Sequence, residues 1–147
     1  MFDPAFIPAW LADPAASLGG LFVASLLAAT VLPGGSEVAL FAFLHLHPDE
    51  VPGALALATL GNTLGGMSTW ACGRWLPRWR RLENLPQAGR VERFGPAILL
   101  LSWLPLVGDA LCLAAGWLRL NGWICGLFMA VGKFARYALV ALGAGSL

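Results

Sequence analysis

Lysine and arginine are absent from the first 73 residues, and only 12% of the 147-residue chain is charged. The hydrophobic share is 59% and the mean hydropathy +0.74. Soluble domains carry about 25% charged residues, so this scarcity excludes an ordinary soluble surface and points to the bilayer. A net charge of +1 excludes the basic balance that a nucleic-acid partner would call for. The three cysteines, Cys72, Cys112 and Cys125, form no CxxC pair and no Cys/His cluster, so they read as small apolar residues and imply neither metal nor cofactor. Glu37, His45 and His47 fall in one region, yet no GxSxG, no HExxH and no phosphatase-like His/Arg set accompanies them, and no enzyme is expected. The N-terminal residues lack the positive region of a signal peptide, so the apolar stretch from Ser17 is expected to be retained.

The arginines are as uneven as they are few. Arg74, Arg78, Arg80, Arg81, Arg90 and Arg93 crowd into one stretch, which the positive-inside rule marks as cytoplasmic. This linker, 74–94, carries Trp75, Trp79 and Leu82 at helical spacing. It is either an amphipathic segment lying in the membrane interface or a solvated connector broken at Pro86. Trp70, Trp75, Trp79, Trp117 and Trp123 need no more than the aromatic belt at that face. Trp103 lies outside this pattern.

Before the linker, the apolar run from Ser17 to Leu32 stops at Pro33, Gly34 and Gly35 and resumes from Ser36 to Leu46. Neither piece reaches the roughly 20 residues a crossing helix needs. Pro33 removes a backbone donor and the glycines permit a sharp turn, so the pair predicts a re-entrant hairpin whose broken backbone is buried in protein or faces water. The next stretch, from Val51 to Gly73, is a full crossing closed by Arg74. After the linker the order recurs: a short apolar run from Gly95 to Leu104, a break from Pro105 through Gly108 to Asp109, a second run to Leu118, and a last helix from Trp123 to about Leu142.

The two halves match in detail. Leu32, Pro33 and Glu37 have the spacing of Leu104, Pro105 and Asp109, and Leu60-Gly61-Asn62 corresponds to Val131-Gly132-Lys133, a period of about 72 residues. Each half changes side once, so the second copy starts from the opposite face, with both termini periplasmic. The expected fold is therefore an all-α integral membrane protein of two inverted repeats. Each repeat is a re-entrant helical hairpin followed by a transmembrane helix, at about 17–73 and 95–147, within one membrane domain. The alternative is chance similarity between two apolar halves. Secondary transporters use inverted repeats whose broken helices meet near the midplane, and so small a unit is expected to pack as a homo-oligomer.

An ionised carboxylate at membrane depth costs about 2.5–3.5 kcal/mol. Glu37 and Asp109 are thus expected to face each other's hairpin across a shared cavity, with Lys133 and Arg136 as counter-charges, or else to cap their half-helices. Lys133 and Arg136 lie too deep in the last helix to snorkel comfortably. Asn62 either hydrogen-bonds across a helix contact or takes part in the site. Gly61, Gly65, Gly66 and Gly73 read as close-packing positions.

The run Gly61-Asn62-Thr63-Leu64-Gly65-Gly66-Met67-Ser68-Thr69-Trp70-Ala71-Cys72-Gly73-Arg74 resembles the glycine-rich helix, ending in an aromatic and then Gly-Arg, of the DedA family, also called the VTT or SNARE-associated domain family. The likeness is greatest to its short YqaA-like branch. The Pro-Gly followed by Glu37, and Arg93-Phe94-Gly95 leading through Pro105 to Ala115-Gly116, fit the family in order. The resemblance implies a bacterial inner-membrane location, two facing re-entrant hairpins, and movement or flipping of lipids such as phospholipids or undecaprenyl phosphate, with protons as the coupled ion. It also exposes departures. Longer members carry arginines three residues either side of the second-hairpin proline, where this chain has Ser102 and Gly108. A common acid is here Gly66, and Glu37 comes two residues late. A lipid phosphate would need other cations, for which Lys133 and Arg136 are available. Without the arginine pair, a non-transporting membrane-integrity or accessory subunit is the rival reading.

Overall fold

The computed structural model describes residues 14–29, 35–77, 84, 86–104 and 106–145. Pro33, Gly34 and Pro105, and the linker residues Arg78, Trp79, Arg80, Arg81 and Leu82, lie outside them. Among the described residues there is no strand: α1 (Pro14–Ala28), α2 (Gly35–Leu46), a 3-10 turn (Pro48–Glu50), α3 (Val51–Trp75), α4 (Pro86–Phe94), a 3-10 segment (Gly95–Leu101), α5 (Val107–Trp117) and α6 (Gly122–Gly145) follow in order.

The short helices α1 and α2 flank the predicted first break, and α5 follows the second. The first arm of the second hairpin differs from the continuous helix that its apolar run suggests. It is a 3-10 segment, opened by Gly95 at φ +63° and Pro96 and ending in turns. Gly132 permits this arm to lie against α6, since a Cβ there would stand 2.4 Å from the carbonyl oxygen of Leu100. Of the long helices, α6 alone among the described residues combines the length and apolarity of a membrane span, over Gly122–Gly143. α3 has 25 residues and the length to cross, but its glycines, Asn62, Thr63 and Ser68 dilute its apolar character. One of the two expected crossings is therefore clear by composition.

α3 and α6 run antiparallel and share two apolar cores. Near one end, Leu40, Phe43, Ala54, Ala58 and Tyr137 pack together. Toward the other, Met67 and Trp70 pack on Cys112, Ala115, Cys125 and Met129. α1 lies along α3, the 3-10 segment along α6, and α5 crosses to α3 while α2 touches both long helices. Small residues set these distances. A Cβ at Gly61 would stand 2.5 Å from the Phe22 carbonyl oxygen, one at Gly65 2.4 Å from Ala29 Cβ, one at Gly73 2.1 Å from the Leu113 carbonyl oxygen, and one at Gly116 1.8 Å from that of Trp70. Backbone against backbone at such spacing leaves no room for any side chain.

The end of α5 explains another local feature. Arg119 adopts φ +59°, its N–H bonds the Gly116 carbonyl and the Leu120 N–H bonds that of Ala115. This is a Schellman turn with arginine where glycine is usual. It brings Trp117, whose Nε1 donates to the Pro77 carbonyl at 3.2 Å, to the Arg74 end of α3. Trp70 lies there as well, with Arg74 over its ring and Gly122 beside it.

Candidate functional site

The two cores are separated by a layer of polar side chains. On α3, Asn62 falls between Ala58 and Met67; on α6, Lys133 and Arg136 fall between Met129 and Tyr137. From the first hairpin, α1 contributes Ser25 and the first turn of α2 contributes Ser36 and Glu37. From the second, the turn after the 3-10 segment brings Trp103, and the first turn of α5 brings Asp109.

Arg136 is the hub of this layer. Its Nε donates to Glu37 Oε1 in an ion pair, its Nη1 donates to the Trp103 carbonyl, and its guanidinium stands 5.9 Å from the centre of the Trp103 ring. One cation thus holds both hairpins, and Trp103, which the interfacial belt leaves unaccounted for, acquires a role. The guanidinium and the carboxylate keep 20% and 32% of their side-chain surface exposed, so the pair can be reached from outside the packed cores.

Lys133 is 3% exposed, and its Nζ donates to the Asn62 carbonyl at 2.6 Å. Gly66 makes this possible: a Cβ there would stand 2.9 Å from Lys133 Nζ. The Asn62 side chain faces the first hairpin, its Nδ2 donating to the Ser25 carbonyl at 3.3 Å and to Ser36 Oγ at 3.4 Å. Tyr137 joins the same layer beside Ser36.

Asp109 has a different setting. It is half-buried, lies within electrostatic reach of Lys133, and makes no hydrogen bond or ion pair among the described residues. No side-chain hydrogen bond caps α5, so Asp109 is placed to act on the helix dipole rather than as a bonded cap. The structure therefore brings Glu37, Asn62, Lys133 and Arg136 together, with Asp109 at the edge. The expected cavity shared by the two acids is not among the two clearest grooves. One, of about 240 Å³, lies between α1 and α2 and is lined by Gly20, Leu21, Ala39 and Phe43; the other, of about 50 Å³, lies between the end of α3, α4 and α5. Neither is lined by Glu37 or Asp109. Of the hairpin-break residues, Gly35 opens α2, and a Cβ on Gly108 would stand 2.2 Å from the Ser102 carbonyl oxygen.

Sequence reasoning passed over Ser25, Ser36 and Tyr137, which look like ordinary apolar-segment residues until the hairpin folds. It also passed over the packing role of Gly116 and Gly132. Gly132 had a signal, because it aligns with Gly61 and both lie against the first arm of their own hairpin.

Apolar helices that enclose a polar layer between two cores, in so uncharged a chain, define a helical membrane protein. No family model matches the chain, and no solved structure does. The inner membrane protein YqaA of Escherichia coli (strain K12) is 45% identical over 133 residues, covering 86% of this chain and 90% of its own length, and its Shigella flexneri namesake gives the same figures. A Haemophilus influenzae protein called uncharacterized is 41% identical over 130 residues, covering 82% of this chain and 83% of itself. The chain belongs to the YqaA family of inner membrane proteins.

Proposed function

We propose that this protein is a DedA-type membrane carrier, not an enzyme, that moves or flips lipids across the inner membrane, phospholipid or undecaprenyl phosphate being the substrate and protons the coupled ion. The observation that carries this reading is Arg136, a partly exposed cation bonded to both hairpins at once. A lipid phosphate is a strong acceptor for a guanidinium, and it would compete with Glu37 for Arg136. Protonating Glu37 would weaken the pair and release the cation, which links a proton to a phosphate. The contacts between halves agree with an inverted repeat: each hairpin's first arm packs on the long helix of its own half, while α2 and α5 reach the long helix of the other. In this reading α3 and α6 cross the membrane, the linker at 74–94 is cytoplasmic, and copies pair as a homo-oligomer.

The Glu37 carboxylate already stands in an ion pair and lines neither of the two grooves described above, which favours the second reading, a non-transporting membrane-integrity or accessory subunit. Flipping of fluorescent phospholipid and of polyprenyl phosphate in proteoliposomes, at two imposed pH gradients, separates the two. Transport by the wild type that is lost in Glu37→Gln and Arg136→Gln is the expected result. No movement under either gradient by folded protein would overturn the carrier and leave the accessory role.

A further inference from the structure

Lys133 and Asp109 have complementary deficits. An ammonium carries three donors, yet among the described residues Lys133 has one hydrogen-bond acceptor, the Asn62 carbonyl, although it is 3% exposed. Asp109 is a half-buried carboxylate with no bonded partner among the described residues. Each deficit is costly in a low-dielectric layer, and each is the remedy for the other. Arg136 bonds the carbonyl of Trp103, six residues before Asp109 in the same hairpin, while also holding Glu37. As long as Arg136 grips both hairpins, the tip of the second is tethered at Trp103.

We infer that Lys133 and Asp109 form a second ionic lock, open in this structure, which closes when the Glu37–Arg136 pair opens. The two locks use corresponding acids, each the third residue of its half-helix, and cations one turn apart on α6. Only one lock is closed at a time: closing the second draws the first turn of α5 toward Lys133 and off its tether. The inference goes beyond transport, because it predicts an exchange between two states of the empty protein.

Labelling tests it without any substrate. Leu106, at the tip before α5, is 72% exposed. In a Cys72→Ser background, where the remaining Cys112 and Cys125 are buried, the rate at which N-ethylmaleimide modifies Leu106→Cys in detergent reports the position of the tip. Adding Glu37→Gln should slow labelling several-fold, and adding Asp109→Asn or Lys133→Met on top should restore the original rate. Should Glu37→Gln fail to fold, Arg136→Gln opens the same pair and is read in the same way. Labelling that neither opening variant slows overturns the inference, as does slowing that persists with Asp109→Asn. A carrier that fails the flipping assay could still pass this one, so the two failures are distinguishable.

Discussion

The two hairpins carry one pattern, Leu-Pro followed by an acid at the same spacing, and set it in opposite surroundings. Around Glu37 most polar groups have company, with Arg136 on the carboxylate, Asn62 on the Ser25 carbonyl and the Ser36 hydroxyl, and Tyr137 close by, while the Ser25 hydroxyl has no hydrogen-bond partner among the described residues. Around Asp109 the neighbours are the thiol of Cys112, one turn on, and a lysine that bonds elsewhere. A repeated motif thus fixes where an acid stands on its half-helix, while the facing long helix decides whether that acid is paired.

The comparison can be broken most forcefully at the glycines. Gly116→Ala puts a Cβ 1.8 Å from a backbone oxygen of α3, which cannot move aside, whereas Gly66→Ala meets the flexible end of Lys133 at 2.9 Å. Overpacking of the first kind should cost about 3 kcal/mol and the second under about 1 kcal/mol, as read by unfolding in detergent. Next comes the charge asymmetry. Arg136→Gln strips both hairpins of their shared partner and should lose about 2 kcal/mol, while Asp109→Asn should change stability by less than about 0.5 kcal/mol; equal losses would erase the contrast between the acids.

A smaller effect sharpens it. Leu106 holds φ +64° at the tip of the second hairpin, where the corresponding residue of the first is Gly34. Leu106→Gly should raise stability by about 1 kcal/mol, seen as a higher midpoint of thermal unfolding, because the strained conformation suits glycine. Smallest is Arg119→Gly at the Schellman turn, where easier backbone geometry is offset by the loss of a long cationic side chain, for a net change under about 0.5 kcal/mol.

How much of this was readable beforehand divides along the same line. The hairpin breaks, the long helix from Val51 and the glycine faces depend on residues close in sequence, and their periodicity and punctuation announce them. The Glu37–Arg136 pair joins residues 99 positions apart, and nothing in local spacing says which of two cations on α6 an acid will meet. The 3-10 form of Gly95–Leu101 was equally hidden, since its apolar run fits an α-helix and only the approach of Leu100 to Gly132 reveals a thinner segment. Trp103 was conspicuous because it fitted no belt, but its use as a backbone acceptor could not be read from an indole.

That 3-10 segment also has a mechanical meaning. Seven residues rise about 2.0 Å each in 3-10 form and about 1.5 Å each as α-helix, so rewinding Gly95–Leu101 would shorten it by roughly 3.5 Å. The wider α-helix would first have to lift Leu100 away from Gly132, so the contact with α6 holds the arm that suspends the second hairpin at its extended length.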